Sequence, residues 1–256
     1  MGLRSLARIA PNLREPLRFC LRQITRRQGL GRYHLRGSDV VILVRHSTGD
    51  LITLEEVLAE RQYEPPRQLS SLFAPGGPPL SVADLGANIG LFSAWLLSRA
   101  PDASITAFEP DPANAAVLEQ CVRANSRERD WQVVRACATT SDGEVRFVAG
   151  ELAASRMAAE GTGGWLPTLP ARDVFPYLEE ADFVKIDIEG GEWPILADAR
   201  FRDLPARALV LEYHDYMCPE PDPRAYAEAL LEGAGWRVVH MDFDMPPGHG
   251  VVWGWR

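Results

Sequence analysis

Three short stretches of this 256-residue chain bring acids, glycines and a histidine together at spacings that could do chemistry. The first is Asp84-Leu85-Gly86-Ala87-Asn88-Ile89-Gly90, set between a short apolar run and a segment of helical periodicity. Glycine in such a turn lets the chain fold back tightly and lets a ligand approach the backbone. Asp84 could accept from a bound hydroxyl or orient a positive group. Glu109 stands 23 residues after Gly86, at the end of the next strand-like run, where a carboxylate reaches the ribose hydroxyls of an adenosine-containing cofactor. A dinucleotide would want G-x-G-x-x-G, whereas Gly86 is followed by Ala87 and Asn88, and the charge of Asp84 would oppose a pyrophosphate. The loop favours S-adenosylmethionine, with its sulfonium and ammonium groups, over NAD.

The other two stretches are Lys185-Ile186-Asp187-Ile188-Glu189 and Glu212-Tyr213-His214-Asp215, each at the end of an apolar run. Transfer of a methyl group already activated by a sulfonium needs alignment and, for a hydroxyl acceptor, one base within reach. The candidate bases are Asp187 and His214, whose ordinary pKa of about 6.5 leaves it able to accept a proton at physiological pH. Lys185 and Asp187, two apart on a strand, should share a face and form a charge pair at the pocket floor. Glu192, at the start of a helix, fits a capping carboxylate. A divalent ion held by Asp187, Glu189 and His214 is the lesser alternative, and no metal site is assigned.

These groups need a scaffold of strand ends. Strands expected at 82–85, 104–108, 131–136, 144–148, 183–188 and 208–213 alternate with helices over 89–99, 112–125, from 192 and over 223–233. That alternation predicts an α/β fold with a mostly parallel sheet covered on both faces, closed by an antiparallel hairpin of 236–243 with 250–255. Residues 150–172, rich in glycine and proline, predict a long irregular insertion over the same edge, a substrate cover with Ser155, Arg156, Met157 and Trp165 as contacts. Upstream, a strand at 40–44, a polar turn and a helix from Thr53 with Glu56 in the capping-box position are expected. Pro65, Pro66 and the prolines of 75–79 mark a linker. The chain thus divides into a basic helical extension and cap (1–64), a Pro/Gly-rich linker (65–80) and a catalytic domain (81–256).

The strings DLGANIGLFS (84–93), FEPDP (108–112) and VKIDIEGGEW (184–193) resemble the FkbM family of S-adenosylmethionine-dependent methyltransferases. VRHSTGD (44–50) with Tyr63 looks like that family's upstream region, so the likeness spans roughly residues 40–215, and the K-I-D-I-E-G-G-E block is its most specific part. The resemblance implies a class I, Rossmann-like methyltransferase fold with a seven-stranded sheet. It puts Asp84, Gly86, Asn88, Gly90 and Glu109 at cofactor-binding positions, with Ala87 and Pro110 beside them. It implies O-methylation of a sugar or other small metabolite, with N-methylation of a peptide or amino sugar as the alternative. LPARDVF (169–175) departs from the threonine-leucine-aspartate-like stretch expected there, on the acceptor side.

Composition bounds the rest. A chain with 46% hydrophobic and 24% charged residues is globular, and no apolar run approaches the roughly 18 residues that span a bilayer, so no stable membrane insertion is expected. Arginines recurring through the first 27 residues interrupt the apolar core of a secretory signal, and Cys20, Cys121, Cys137 and Cys218 stand too far apart for a paired motif. Together they predict reduced thiols and a cytoplasmic setting. Residues 1–36 hold nine arginines and the single acid Glu15, so the remainder of a chain with formal charge −8 carries −16. Such an acidic body argues against nucleic acid as a partner. Arg14, Arg18, Arg22 and Arg26 recur beside Leu17, Leu21 and Ile24, predicting an amphipathic helix over 14–27 that packs its apolar side on the body, with docking on a membrane surface or acidic partner as the alternative. Trp253 and Trp255 share one face of the last strand, as core or as the surface of a homo-oligomer. A small-molecule or glycan acceptor is the expected partner, and a non-catalytic cofactor-binding scaffold is the rival from another class.

Overall fold

Short runs of Val, Ile, Leu and Phe, bounded by Gly, Pro or Asp, set the strands of the computed structural model, which describes residues 3–73, 76–148, 156–159 and 166–256. In chain order, α1 (Leu3–Ile9), α2 (Pro16–Ile24), an antiparallel ribbon of β1 (Gly29–His34) with β2 (Val41–His46), and α3 (Asp50–Glu55) come first. The repeat follows as β3 (Ser81–Leu85), α4 (Leu91–Leu97), β4 (Ser104–Phe108), α5 (Pro112–Ala124) and β5 (Trp131–Val134). Next, β6 (Cys137–Thr139), β7 (Gly143–Val148), β8 (Arg156–Met157) and β9 (Thr168–Asp173) make a separate sheet in the order β6-β9-β7-β8. The chain ends with α6 (Phe175–Leu178), β10 (Phe183–Ile186), α7 (Glu192–Ala197), β11 (Ala208–Tyr213), α8 (Pro223–Gly233), β12 (Arg237–Met241) and β13 (Gly250–Trp255).

The central sheet has seven strands in the order β12-β13-β11-β10-β3-β4-β5. Only β13 runs antiparallel to its neighbours. This is the Rossmann-like class I sheet with an antiparallel C-terminal pair that the sequence predicts. Every residue of β10 is buried because helices cover both faces: α4, α5 and the N-terminal segment on one, α6, α7 and α8 on the other. Asp111 starts α5 by accepting from the N–H groups of Ala113 and Asn114, with Pro112 in the first turn, and Asp222 and Pro223 do the same for α8. Trp253 is core, stacked on Phe183 with centroids 5.5 Å apart. From β3 the sheet continues to β4 on one side and β10 on the other, and a crevice opens at the carboxyl ends of such a reversal.

Several expectations are corrected. Residues 168–173 are a strand, parallel to β6 and antiparallel to β7, rather than part of an irregular insertion; their proline content hides a strand that lies in a short, exposed sheet. Ser155 and Trp165 lie outside the described residues. The helix expected from Thr53 begins at Asp50, and Glu56 opens a wide π-type turn over Glu56–Glu60 instead of closing a capping box. The expected linker holds a helical turn, Arg67–Phe73, whose Phe73 packs edge-on against Phe183 and Trp253. Pro16 starts α2 later than expected, and its apolar stripe does not pack on the body: Leu17, Leu21 and Ile24 are 84%, 64% and 65% exposed, while Phe19 is fully buried. The strand β1 was not anticipated, since Gly29 and Gly31 mask its pattern.

Candidate functional site

The carboxyl ends of β3, β4, β10 and β11 border a cleft, the position where an open α/β sheet takes a ligand. Its floor is the Gly86-Ala87-Asn88 turn, tied to the end of β4 by Gly86 and Ala87 N–H groups that donate to Phe108 O at 3.1 and 2.8 Å. Gly86 has φ +82°, and a Cβ there would fall on the carbonyl oxygen of Asp187, so only glycine lets β3 and β10 end in contact. Gly90 serves packing instead: a Cβ would come within 2.6 Å of Leu118, on the α5 side. Asn88 and Glu189, both bordering the cleft, hold φ of 50° and 54°, two of the seven non-glycine residues in the left-handed region among the described residues. Asn88 Oδ1 is buried and has no hydrogen-bond partner among the described residues.

Glu109 and Pro110 form the adjoining wall. Glu109 Oε2 accepts from Asn88 N–H at 2.7 Å and Oε1 from Asp111 N–H at 2.8 Å, which leaves further lone pairs on each oxygen. Burial lifts this carboxyl to about 7 against the pull of the two N–H groups. Asp84 stands one layer behind. It has no exposed surface; Oδ2 accepts from Ser93 Oγ at 2.6 Å and Oδ1 lies 3.4 Å from Lys185 Nζ. The parallel register that sets Lys185 beside Asp84 explains the pair. Lys185 Nζ also donates to Gly86 O at 2.6 Å and meets Asp187 Oδ2 at 3.2 Å, forming the charge pair expected from the alternation. Burial works to lower its pKa, but Asp187 and Asp84 hold it above the ordinary value.

Opposite the loop, Glu56, Tyr63, Asp187, Glu189 and Glu212 line the other end of the cleft. Tyr63 Oη donates to Asp187 Oδ2 at 3.1 Å. Burial, reinforced by the Asp187 carboxylate, raises Glu56 to about 7 and Glu212 well above its ordinary value; burial also raises Glu189 to about 7.

His214 is 2% exposed and does not border the cleft. Glu192 Oε1 accepts from its backbone N–H at 2.9 Å and meets its Nδ1 at 3.1 Å, while Nε2 faces Glu189, Glu212 and Asp187 oxygens at 3.6, 3.9 and 4.0 Å. Burial disfavours the charge, but the Glu192 hydrogen bond and the surrounding acids prevail and lift the pKa to about 10. The expected base His214 thus stands behind the cleft, with its charged form favoured by the acids around it. Asp187, Glu212 and His214 bring one ligand-type atom each within 4.8 Å of one another, a set that shares Asp187 and His214 with the trio expected for a divalent ion.

Two contributors escaped sequence reading. Arg45 grips Asp50 at 2.7 Å and Asn114 Oδ1 at 2.6 Å, tying β2 to a residue of the cleft wall. Glu56 enters the cleft only because of the π-type turn; the single signal near it is its position between VRHSTGD and Tyr63.

A family model described as the methyltransferase FkbM domain matches residues 84–235, more than half of the chain. The chain belongs to the FkbM methyltransferase family. Solved structures of similar fold include the precorrin-6y C5,15-methyltransferase of Geobacter metallireducens, at 19% identity over 74% of this chain and 87% of that one, with a TM-score of 0.45. An O-methyltransferase family protein from Burkholderia thailandensis matches at 13% over 81% and 57%, TM-score 0.46. M. jannaschii TYW2 in complex with AdoMet matches at 12% over 89% and 86%, TM-score 0.47. At these identities the likeness concerns fold alone. No curated protein matches. In this FkbM methyltransferase the matched block carries the loop, Glu109 and the acids after β10 and β11, whereas Arg45, Glu56 and Tyr63 come from outside it. No helix among the described residues is long and apolar enough to cross a membrane.

Proposed function

We propose that the cleft binds S-adenosylmethionine and that the enzyme passes its methyl group to a hydroxyl of a small metabolite or glycan. The observation that carries this is the pairing of Glu109 with the Asn88 N–H: it presents a carboxylate with spare acceptor capacity beside a backbone turn, the arrangement that receives ribose hydroxyls. The buried, unpartnered Asn88 Oδ1 fits the same ligand, because a donor from it would satisfy that atom. Gly86, Ala87, Asn88, Glu109 and Pro110 would hold the cofactor; Asp84 and Gly90 would shape the loop from behind. The cofactor supplies a methyl on a positively charged sulfur. Asp187 Oδ2 is engaged by Lys185 and Tyr63, and Oδ1, 4.0 Å from His214 Nε2, is the oxygen that would take the acceptor's proton. Four free cysteines fit a cytoplasmic setting.

Calorimetry tests this. S-adenosylmethionine and S-adenosylhomocysteine should bind while NAD does not, and Glu109→Ala should weaken binding roughly 10- to 100-fold; a preference for NAD overturns the assignment. Asp187→Asn should lower kcat by about 10²- to 10⁴-fold with cofactor affinity kept. The crowd of acids at the far end favours one second reading, an amine acceptor held as its ammonium. An amine needs less base assistance, so near-normal turnover of Asp187→Asn at alkaline pH would favour it.

A further inference from the structure

We propose that α2 is a docking face for an anionic lipid bilayer, independently of what the cleft binds. None of its side chains borders the cleft, and it lies outside the matched family block. At about 100° per residue, positions 17, 21 and 24 fall within one sector of roughly 60°, and position 19 lies nearly opposite. Phe19 packs edge-on against Tyr33 with centroids 5.4 Å apart and tilted against His46 at 5.8 Å. That anchor fixes the rotation of the helix, so Leu17, Leu21 and Ile24 are held facing outward. Ile52 on α3, itself 60% exposed, lies across a hollow that Leu6, Ile24 and Leu51 border together with polar Gln23, Ser47 and Thr48, and whose one acid, Glu55, is taken by Arg8. Three large apolar side chains exposed together on one helix face mark an interaction surface.

Charge identifies what covers it. Arg18 and Arg22 flank the stripe and Arg26 and Arg27 follow it, and among the described residues none of the four pairs with an acid. Arg18 lies over the Tyr33 ring, and Arg22 bonds the carbonyls of Arg27 and Gln28. Glu15, the one acid of residues 1–36, is taken by His34. A bilayer satisfies both chemistries at once: Leu and Ile enter the acyl boundary while guanidinium groups reach lipid phosphates. A second copy would bring the same arginines face to face across a two-fold axis. The acidic remainder of the chain is repelled by an anionic surface, so only this end can approach it.

Flotation of the full chain with vesicles of phosphatidylcholine, alone or with about one third phosphatidylglycerol, tests the proposal. The protein should float with the anionic vesicles only, less so as salt rises. The triple variant Leu17→Ser, Leu21→Ser, Ile24→Ser and the double variant Arg18→Gln, Arg22→Gln should each lower partitioning by roughly tenfold or more. Leu17, Leu21 and Ile24 are exposed, so the melting temperature of the triple variant serves as the fold control and should not move; the arginine variant also loses the Tyr33 ring contact and the bonds to the Arg27 and Gln28 carbonyls, so its partitioning is read beside its own melting curve. Absence of flotation, or a triple variant that floats like the parent, overturns the proposal. So does a concentration-dependent dimer that the triple variant dissolves while vesicles go unbound. Cofactor calorimetry is a separate readout, so either reading can fail without the other.

Discussion

Two histidines, His46 in the N-terminal segment and His214 behind the cleft, are equally buried at 2% exposure and have pKa values displaced in opposite directions. His46 sits between neutral partners, Tyr33 Oη at 2.6 Å and Gln23 Nε2 at 2.8 Å. Burial, with Arg22 adding to it, pushes its pKa down to about 4. Burial acts in the same direction on His214, yet Glu192 and the neighbouring acids drive it up to about 10. Desolvation alone therefore does not set the state of a buried histidine; the first partner does. In the cleft, a positive ring behind the acids would let several carboxyl groups stand close together, which suits the proposal of Asp187 as base.

The strongest way to break this contrast is to remove the partner. Glu192→Ala strips the acceptor from His214 and from Gly190 N–H, and should cost about 3–5 kcal/mol in urea unfolding; an unchanged midpoint would mean His214 is neutral. The pH dependence of stability comes next. The folded pKa of His214, about 10, lies above its ordinary 6.5, so its stabilisation is complete below pH 6.5 and lost as the pH rises through about 10. For His46 the folded value, about 4, lies below 6.5, so its contribution is complete above pH 6.5 and lost as the pH falls through about 4. Difference curves for His214→Gln and His46→Gln against the parent should slope in opposite directions, each on the order of 3 to 5 kcal/mol across its window. The smallest effect sharpens the neutral side: Tyr33→Phe should cost about 1 kcal/mol and leave methyl transfer unchanged.

What could be read from the sequence was what is local in it. The Gly86–Asn88 turn, Glu109 at the next strand end and the shared face of Lys185 and Asp187 follow from short spacings and period-two alternation, and the structure has each of them. The burial of Asp84 was not legible, because it depends on a register 101 residues away that sets Lys185 beside it. The charge of His214 comes from Glu192 and Glu189, on a different segment, and no property of the string EYHD reveals that. Glu56 reads as a helix cap until a π-type turn re-aims it. The apolar stripe of α2 looks like any core-facing stripe until Phe19 claims the inward side.

Lys185 is the only lysine in the chain and is 2% exposed. Amine-acylating reagents therefore meet one side chain alone, and they meet it only when the strut beneath the Gly86 turn comes loose. Its modification rate is a single-site clock for breathing of that floor, readable by mass spectrometry without any engineered label.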